Sequence, residues 1–279
     1  MFKLKIRKYL DIIRPINCLM FFFAGLFSCY IAIKNIEIFF DYKVLLGSIS
    51  LFLISAGGHV INDYFDVKVD KINRPRKVLT SGEIKPRNAL IFSMILFLIS
   101  IIVSSIINFN IFLLSSIMCI LMVFYGKYSK MIKSFGNVIV SSIVSLILVY
   151  AIFITGKTFP IIWIIPPVFF INMSREIAKD IEDIKGDKLI SRSSLPLKLG
   201  VKNSSIISSF FLILAFIFAC IPYFFNVFNY LYLLVLLVGL IILSYTSKQF
   251  LMQPQKNAKI YQKSLKLGMV LGLIAILIG

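Results

Sequence analysis

The chain has 279 residues, of which 59% are hydrophobic and only 15% charged, yet its net charge is +18. That hydrophobic share excludes a soluble globular domain and points to an integral membrane protein. A basic excess confined to the loops of such a protein reads as a topology signal and an attraction to anionic headgroups, which removes the usual argument for nucleic-acid binding.

In chain order, Lys3, Lys5, Arg7 and Lys8 come before the first apolar run. Nothing resembling a small-residue cleavage site follows Phe21-Phe22-Phe23, so this run is a span and not a signal peptide. Apolar runs then predict nine spans, near 16–34, 44–62, 88–107, 109–126, 135–155, 159–178, 204–221, 228–247 and 265–279. Bilayer hydrocarbon cannot satisfy backbone polar groups, so all of them are expected to be helices. The short runs 109–126 and 265–279 leave a tilted or interfacial placement open. Cys18, Cys29, Cys119 and Cys220 lie far apart inside apolar runs with no C-x-x-C pair, as small buried hydrophobes do and disulfides or zinc ligands do not. All Lys and Arg except Lys34, Lys43 and Lys157 fall on one side of this arrangement. The positive-inside rule places that side, with the N-terminus, in the cytoplasm.

Acid is rare and concentrated. After the second span comes Asn62-Asp63-x-x-Asp66-x-x-x-Asp70, and after the sixth Asp180-x-x-Asp183-x-x-x-Asp187. With Glu83, Glu176 and Glu182, these stretches hold nine of the 12 acidic residues. Each cluster leads into a basic loop and a glycine, Gly82 or Gly200, which lies 12 residues beyond Asp70 in one case and 13 beyond Asp187 in the other. The echo suggests two related halves, with a site where they meet.

On a helix, residues three and four apart share a face, so each cluster aims a row of oxygen ligands in one direction. Like charges at that spacing, close to hydrocarbon, call for a counter-ion. The bland alternative is that the aspartates only neutralise loop lysines and arginines, a weak explanation for two spaced clusters at equivalent places. Magnesium takes oxygen ligands and binds through one or two carboxylates plus substrate phosphates. The expected metal ligands are Asn62, Asp63, Asp66, Asp70, Asp180, Asp183 and Asp187, holding two or more magnesium ions with a diphosphate. Asn62, Arg74, Lys127 and Lys130 are the expected diphosphate-binding residues, and Asp66, Asp70, Asp183 and Asp187 the expected catalytic ones. His59, one turn before Asn62, is expected to be a packed residue hydrogen-bonded to an aspartate. Gly57 and Gly58 would let a neighbouring helix come close.

With Asn73-Arg74-Pro75 after the first cluster and Arg14-Pro15-x-Asn17 entering the first span, the chain resembles the UbiA family of intramembrane prenyltransferases over its whole length. The resemblance implies an all-α membrane protein, with nine helices bundled around a central cavity in one domain over residues 1–279, and both motifs in loops. It implies magnesium-dependent ionisation of a polyprenyl diphosphate. It assigns Asn62, Asp66, Asp70, Asp183 and Asp187 to magnesium-diphosphate, and Lys130 to a lysine position after the fourth helix. The stretches Lys77-Val78-Leu79-Thr80-Ser81-Gly82-Glu83-Ile84 and Arg175-Glu176-x-x-Lys179-Asp180 are similar to the archaeal branch. There geranylgeranyl diphosphate alkylates the free hydroxyl of geranylgeranylglyceryl phosphate, forming the second ether bond of archaeal lipids. The partners so implied are this diphosphate, this acceptor and membrane lipids, with no nucleic acid and no obligate protein partner. An aromatic acceptor, met by Arg14, is the alternative within the family. A cation transporter is a remote one, since its carboxylates would sit mid-membrane.

Overall fold

The computed structural model describes residues 2–73, 77–128, 133–189 and 193–279; within these, the side chains of 2–6, 68, 69, 72, 73, 133, 134, 185 and 189 are not described. Among the described residues the chain is helical: α1 (Phe2–Ile13), α2 (Pro15–Ile33), α3 (Tyr42–Asn73), α4 (Pro86–Ile107), α5 (Phe109–Tyr128), α6 (Lys133–Thr155), α7 (Ile161–Glu182), α8 (Ile184–Leu189), α9 (Leu195–Leu199), α10 (Val201–Phe224), α11 (Tyr230–Met252) and α12 (Pro254–Ile278). Nine of these, α2 to α7 and α10 to α12, are long and apolar enough to cross a membrane. The protein is a multi-pass membrane protein.

Most predicted spans match their helices within a few residues; two departures matter. The second predicted span does not stop at residue 62 but continues as one 32-residue helix, α3, to Asn73. The first acidic cluster is therefore helical, where the family resemblance implied a loop. The last helix begins at Pro254 instead of near 265. Proline at the first helical position gives up only an amide that no helix would use. Lys256, Lys259, Lys263 and Lys266 are exposed, while Ala258, Tyr261 and Leu265 are buried. A hydropathy window adds the lysines to the apolar residues, whereas the 3.6-residue period separates them onto two faces.

The chain divides into two compact units, Met1–Ser129 with Leu146–Thr158, and Lys130–Ser145 with Phe159–Gly279. In the first unit α3 packs along α2, α4 and α5. Gly57 faces Phe97, and an added Cβ would stand 2.5 Å from the ring; at Gly58 it would stand 2.6 Å from the Met122 sulfur. Small residues at these points bring the backbones together, as expected from the sequence. Ser93 donates to the Gly57 carbonyl at 2.9 Å. Deeper in the unit, the Tyr150 hydroxyl lies 3.0 Å from Ser104 and 2.9 Å from Ser115, and Ser104 lies 2.7 Å from Ser50.

The second unit repeats the device with α7 along α10 and α12. Ser208 donates to the Ser174 carbonyl at 2.8 Å, and the Tyr261 hydroxyl lies 3.0 Å from Ser174. Gly57 is nine residues before Asp66 and Ser174 nine before Asp183, so the two serine contacts sit at equivalent heights on their motif helices. Without water to compete, these hydroxyls find their partners inside the bundle. An apolar groove of about 380 Å³ lies between α10 and α11, lined by residues including Phe216, Cys220, Leu236 and Leu240. It opens on the part of α10 remote from Gly200 and carries nothing that would hold a phosphate.

Candidate active site

The first cluster occupies the last two turns and more of α3. Asp66 and Asp70 are one turn apart, and Asn62 lies one turn earlier, so the helix itself lines up their oxygens. The Asn62 amide donates to Asp66 Oδ2 at 3.1 Å. Asp63 and Asp70 are buried, 6% and 8% exposed, and are ion-paired: Arg14 Nη2 lies 2.6 Å from Asp63 Oδ1, while Lys77 Nζ lies 3.0 Å from the same oxygen and 2.6 Å from Asp70 Oδ2.

Both cations are placed by the backbone. Arg14 sits between α1 and α2 in the left-handed region, φ 54° and ψ 69°, immediately before Pro15. A non-glycine residue is strained there by about 1–2 kcal/mol, and the ion pair with Asp63 offsets that cost. Lys77 begins a turn in which its carbonyl accepts from the Ser81 amide at 2.8 Å and from Thr80 Oγ1 at 2.9 Å. Leu79 and Ile84, on either side of Gly82, are buried in a core with Ile12, Ile13, Ala56 and Val60, which anchors the turn.

The second cluster is built differently, because α7 ends inside it. Asp183 is the C-cap of α7, its amide donating to the Lys179 carbonyl at 2.9 Å, and the Asp187 amide in turn donates to the Asp183 carbonyl at 3.0 Å. One helical turn thus still separates the two carboxylates, but across the junction of α7 and α8. Asp180 is 1% exposed and accepts from Asn137 Nδ2 at 2.8 Å. Just before it, the buried Glu176 pairs with Arg175 at 2.7 Å and Lys179 at 3.1 Å.

Of the expected diphosphate ligands, Arg74 and Lys130 lie outside the described residues. Lys127 is exposed at the end of α5, its Nζ 5.0 Å from the Tyr128 ring centroid. Its neighbour Gly126 rests against α3: an added Cβ would stand 3.6 Å from the Ile61 carbonyl and 3.7 Å from the Asn62 Cα. This glycine brings the end of α5, and Lys127 with it, up to the first cluster. His59 is half-buried on α3, one turn before Asn62 and Asp63. Sequence reasoning did not single out Lys77 or Asn137 as site residues. Lys77 could have been found as the cation one further heptad beyond Asp70; Asn137 had no signal beyond being polar near the start of an apolar run.

The donor set fits magnesium. Among the described residues no three His, Cys, Asp or Glu side chains form a closed metal cage. What each cluster offers is a pair of carboxylates one turn apart, with amide and not imidazole or thiolate support. An ion that dehydrates reluctantly and fills its shell with water and phosphate oxygens needs no more from the protein.

Comparison with known proteins agrees with this chemistry. Residues 18–270 match the UbiA prenyltransferase family. The chain is 33% identical over 274 residues to the digeranylgeranylglyceryl phosphate synthase of Methanosphaera stadtmanae, covering 97% of this chain and 98% of that one. A solved structure of a digeranylgeranylglyceryl phosphate synthase matches with a TM-score of 0.85 at 31% identity, over 99% of this chain and 98% of the other. A UbiA homologue from Archaeoglobus fulgidus, solved with GPP and Mg2+, shares the fold with a TM-score of 0.68 at 17% identity, over 96% of this chain and 99% of that one.

Proposed function

The chain belongs to the UbiA prenyltransferase family, and from that premise we propose that it transfers a geranylgeranyl group from geranylgeranyl diphosphate to the free hydroxyl of geranylgeranylglyceryl phosphate. The product is the second ether bond of an archaeal membrane lipid, and diphosphate is released. The observation that carries the reaction class is the repeated pair of carboxylates one helical turn apart, Asp66 with Asp70 and Asp183 with Asp187. The acceptor follows from full-length similarity to synthases of that name.

Two or more bound magnesium ions would neutralise the charge that develops on the departing diphosphate. Asn62, Asp66, Asp70, Asp183 and Asp187 would hold them, with Asp63 and Asp180 three residues before Asp66 and Asp183. Lys127, Arg74 and Lys130 would bind phosphate oxygens, lysine as a point charge and arginine as a fork. As the C1–O bond to diphosphate breaks, the acceptor oxygen bonds to C1 and its proton passes to Asp66. Keeping the reacting carbon inside an apolar helix bundle limits its loss to water. The protein acts as one membrane domain over residues 1–279, and the distribution of Lys and Arg places the N-terminus and both clusters on the cytoplasmic side.

An aromatic acid acceptor would need a cation to meet its carboxylate. Arg14, the residue available for that role, has its guanidinium 2.6 Å from Asp63. The deciding experiment is diphosphate release by detergent-purified protein with magnesium and geranylgeranyl diphosphate, offered either geranylgeranylglyceryl phosphate or 4-hydroxybenzoate. Release with the glyceryl phosphate alone, giving a doubly alkylated product, is the expected result; release only with the aromatic acid would overturn the acceptor.

A further inference from the structure

Lys77 stands between two buried aspartates seven residues apart on α3. Its Nζ is 3.0 Å from Asp63 Oδ1 and 2.6 Å from Asp70 Oδ2, so one ammonium neutralises both. Asp63 has a second cation in Arg14, at 2.6 Å. The arrangement is therefore unequal: if Lys77 leaves, Asp63 keeps a partner, while Asp70 loses the cation that faces it. A buried carboxylate stripped of its counter-charge is costly, so Lys77 can leave Asp70 only when another cation arrives.

The backbone of Lys77 is fixed by the turn that Leu79 and Ile84 anchor, whereas its side chain remains 22% exposed and ends in a compact charge on a flexible stem. Such a group can swing without moving the chain that carries it. The ammonium 2.6 Å from Asp70 Oδ2 repels a divalent ion that would coordinate the same carboxylate at about 2.0–2.1 Å, so the two cations compete for it.

We propose that Lys77 is a placeholder cation. In the resting protein it holds Asp70 charged and aimed; when magnesium and diphosphate bind, it yields Asp70 to the metal and carries its ammonium to the diphosphate. Arg14 keeps Asp63 compensated throughout. Lys77 is thus a positioning residue before the reaction and a phosphate ligand during it. The proposal rests on the reading of Asp70 as a magnesium ligand.

The test uses the full-length protein in detergent, with Mn2+ as a spectroscopic stand-in for magnesium and inorganic diphosphate as the anion. Mn2+ binding without diphosphate is followed by paramagnetic resonance, diphosphate binding is followed in excess Mn2+, and thermal unfolding is recorded in EDTA. Removing a competing charge in K77M is expected to tighten Mn2+ binding about tenfold and to weaken diphosphate binding by a similar factor. It is also expected to lower the unfolding temperature in EDTA, with the deficit closed by Mn2+. K77R, which keeps the charge, should restore both affinities towards wild type, and K77Q repeats the measurement with a polar side chain should K77M not fold. Mn2+ binding that is unchanged or weaker in both K77M and K77Q overturns the proposal and leaves Lys77 a structural residue. D70N separates the two readings: it should weaken or lose Mn2+ binding at the first cluster, and if it binds as wild type does, the assignment of Asp70 to the metal fails and this proposal with it.

Discussion

The two acidic clusters share a spacing but not a construction. The first lies on one uninterrupted helix and is compensated by full charges, Arg14 and Lys77. The second straddles a helix end, and its buried Asp180 accepts from a neutral amide, Asn137. In both, the aspartate three residues before the proposed catalytic pair is withdrawn from solvent and tied to a residue at or near the start of the helix that precedes the motif helix: Arg14 before α2, Asn137 within α6. The lesson is that one spacing is kept on two different backbones. The first cluster carries its own cations, which hold Asp63 and Asp70 in place.

The sharpest test of equivalence removes one proposed catalytic carboxylate from each half. Asp66→Ala and Asp183→Ala should each lower magnesium-dependent prenyl transfer by on the order of 10²–10³-fold or more, with the protein still folded and inserted. Single-turnover rates in membranes carrying each variant would show it; normal turnover in either variant would remove that half from the chemistry.

Neutralising the withdrawn aspartates separates the halves. Asp63→Asn leaves Arg14 and Lys77 facing one another around an amide, which should cost about 2–3 kcal/mol, less than the figure for a fully buried pair because Arg14 is 36% exposed. Asp180→Asn weakens the charge-assisted hydrogen bond from Asn137, about 1 kcal/mol for that bond. Thermal unfolding in detergent should therefore fall further for the first variant, and the reverse order would undo the contrast drawn above.

A third pair concerns packing. At Gly57 an added Cβ meets the Phe97 ring at 2.5 Å, while at Gly268 it meets the end of the Leu243 side chain at the same distance. The ring is part of a packed face, whereas a leucine methyl can rotate away. Gly57→Ala should destabilise by about 1–2 kcal/mol. Gly268→Ala should be near neutral, as the helical preference of alanine offsets the small rearrangement. Unfolding of both in one detergent gives the comparison directly.

Much of the fold was legible from residue type alone. Apolar runs of membrane length, punctuated by basic segments, define helices because hydrocarbon leaves the backbone no other choice. The aspartates were legible for a related reason: carboxylates at one-turn spacing are too costly beside a bilayer to be accidental. Boundaries were less legible. The extension of α3 to Asn73 and the start of α12 at Pro254 both occur where charged residues follow a helical period that an averaged hydropathy does not see.

The sequence by itself determined the membrane class, the helical content, the two carboxylate pairs and the oxygen chemistry that suits magnesium, because each depends on residue type and on spacing along one segment. Tertiary structure alone decided which polar residues stand guard over those pairs. Arg14 reaches Asp63 across 49 positions, Asn137 reaches Asp180 across 43, and Lys77 closes back on Asp63 across a 14-residue separation. No local period encodes such contacts. They exist because packing each unit's helices brings the start of one element against the end of another, and a buried carboxylate takes whichever donor that packing delivers.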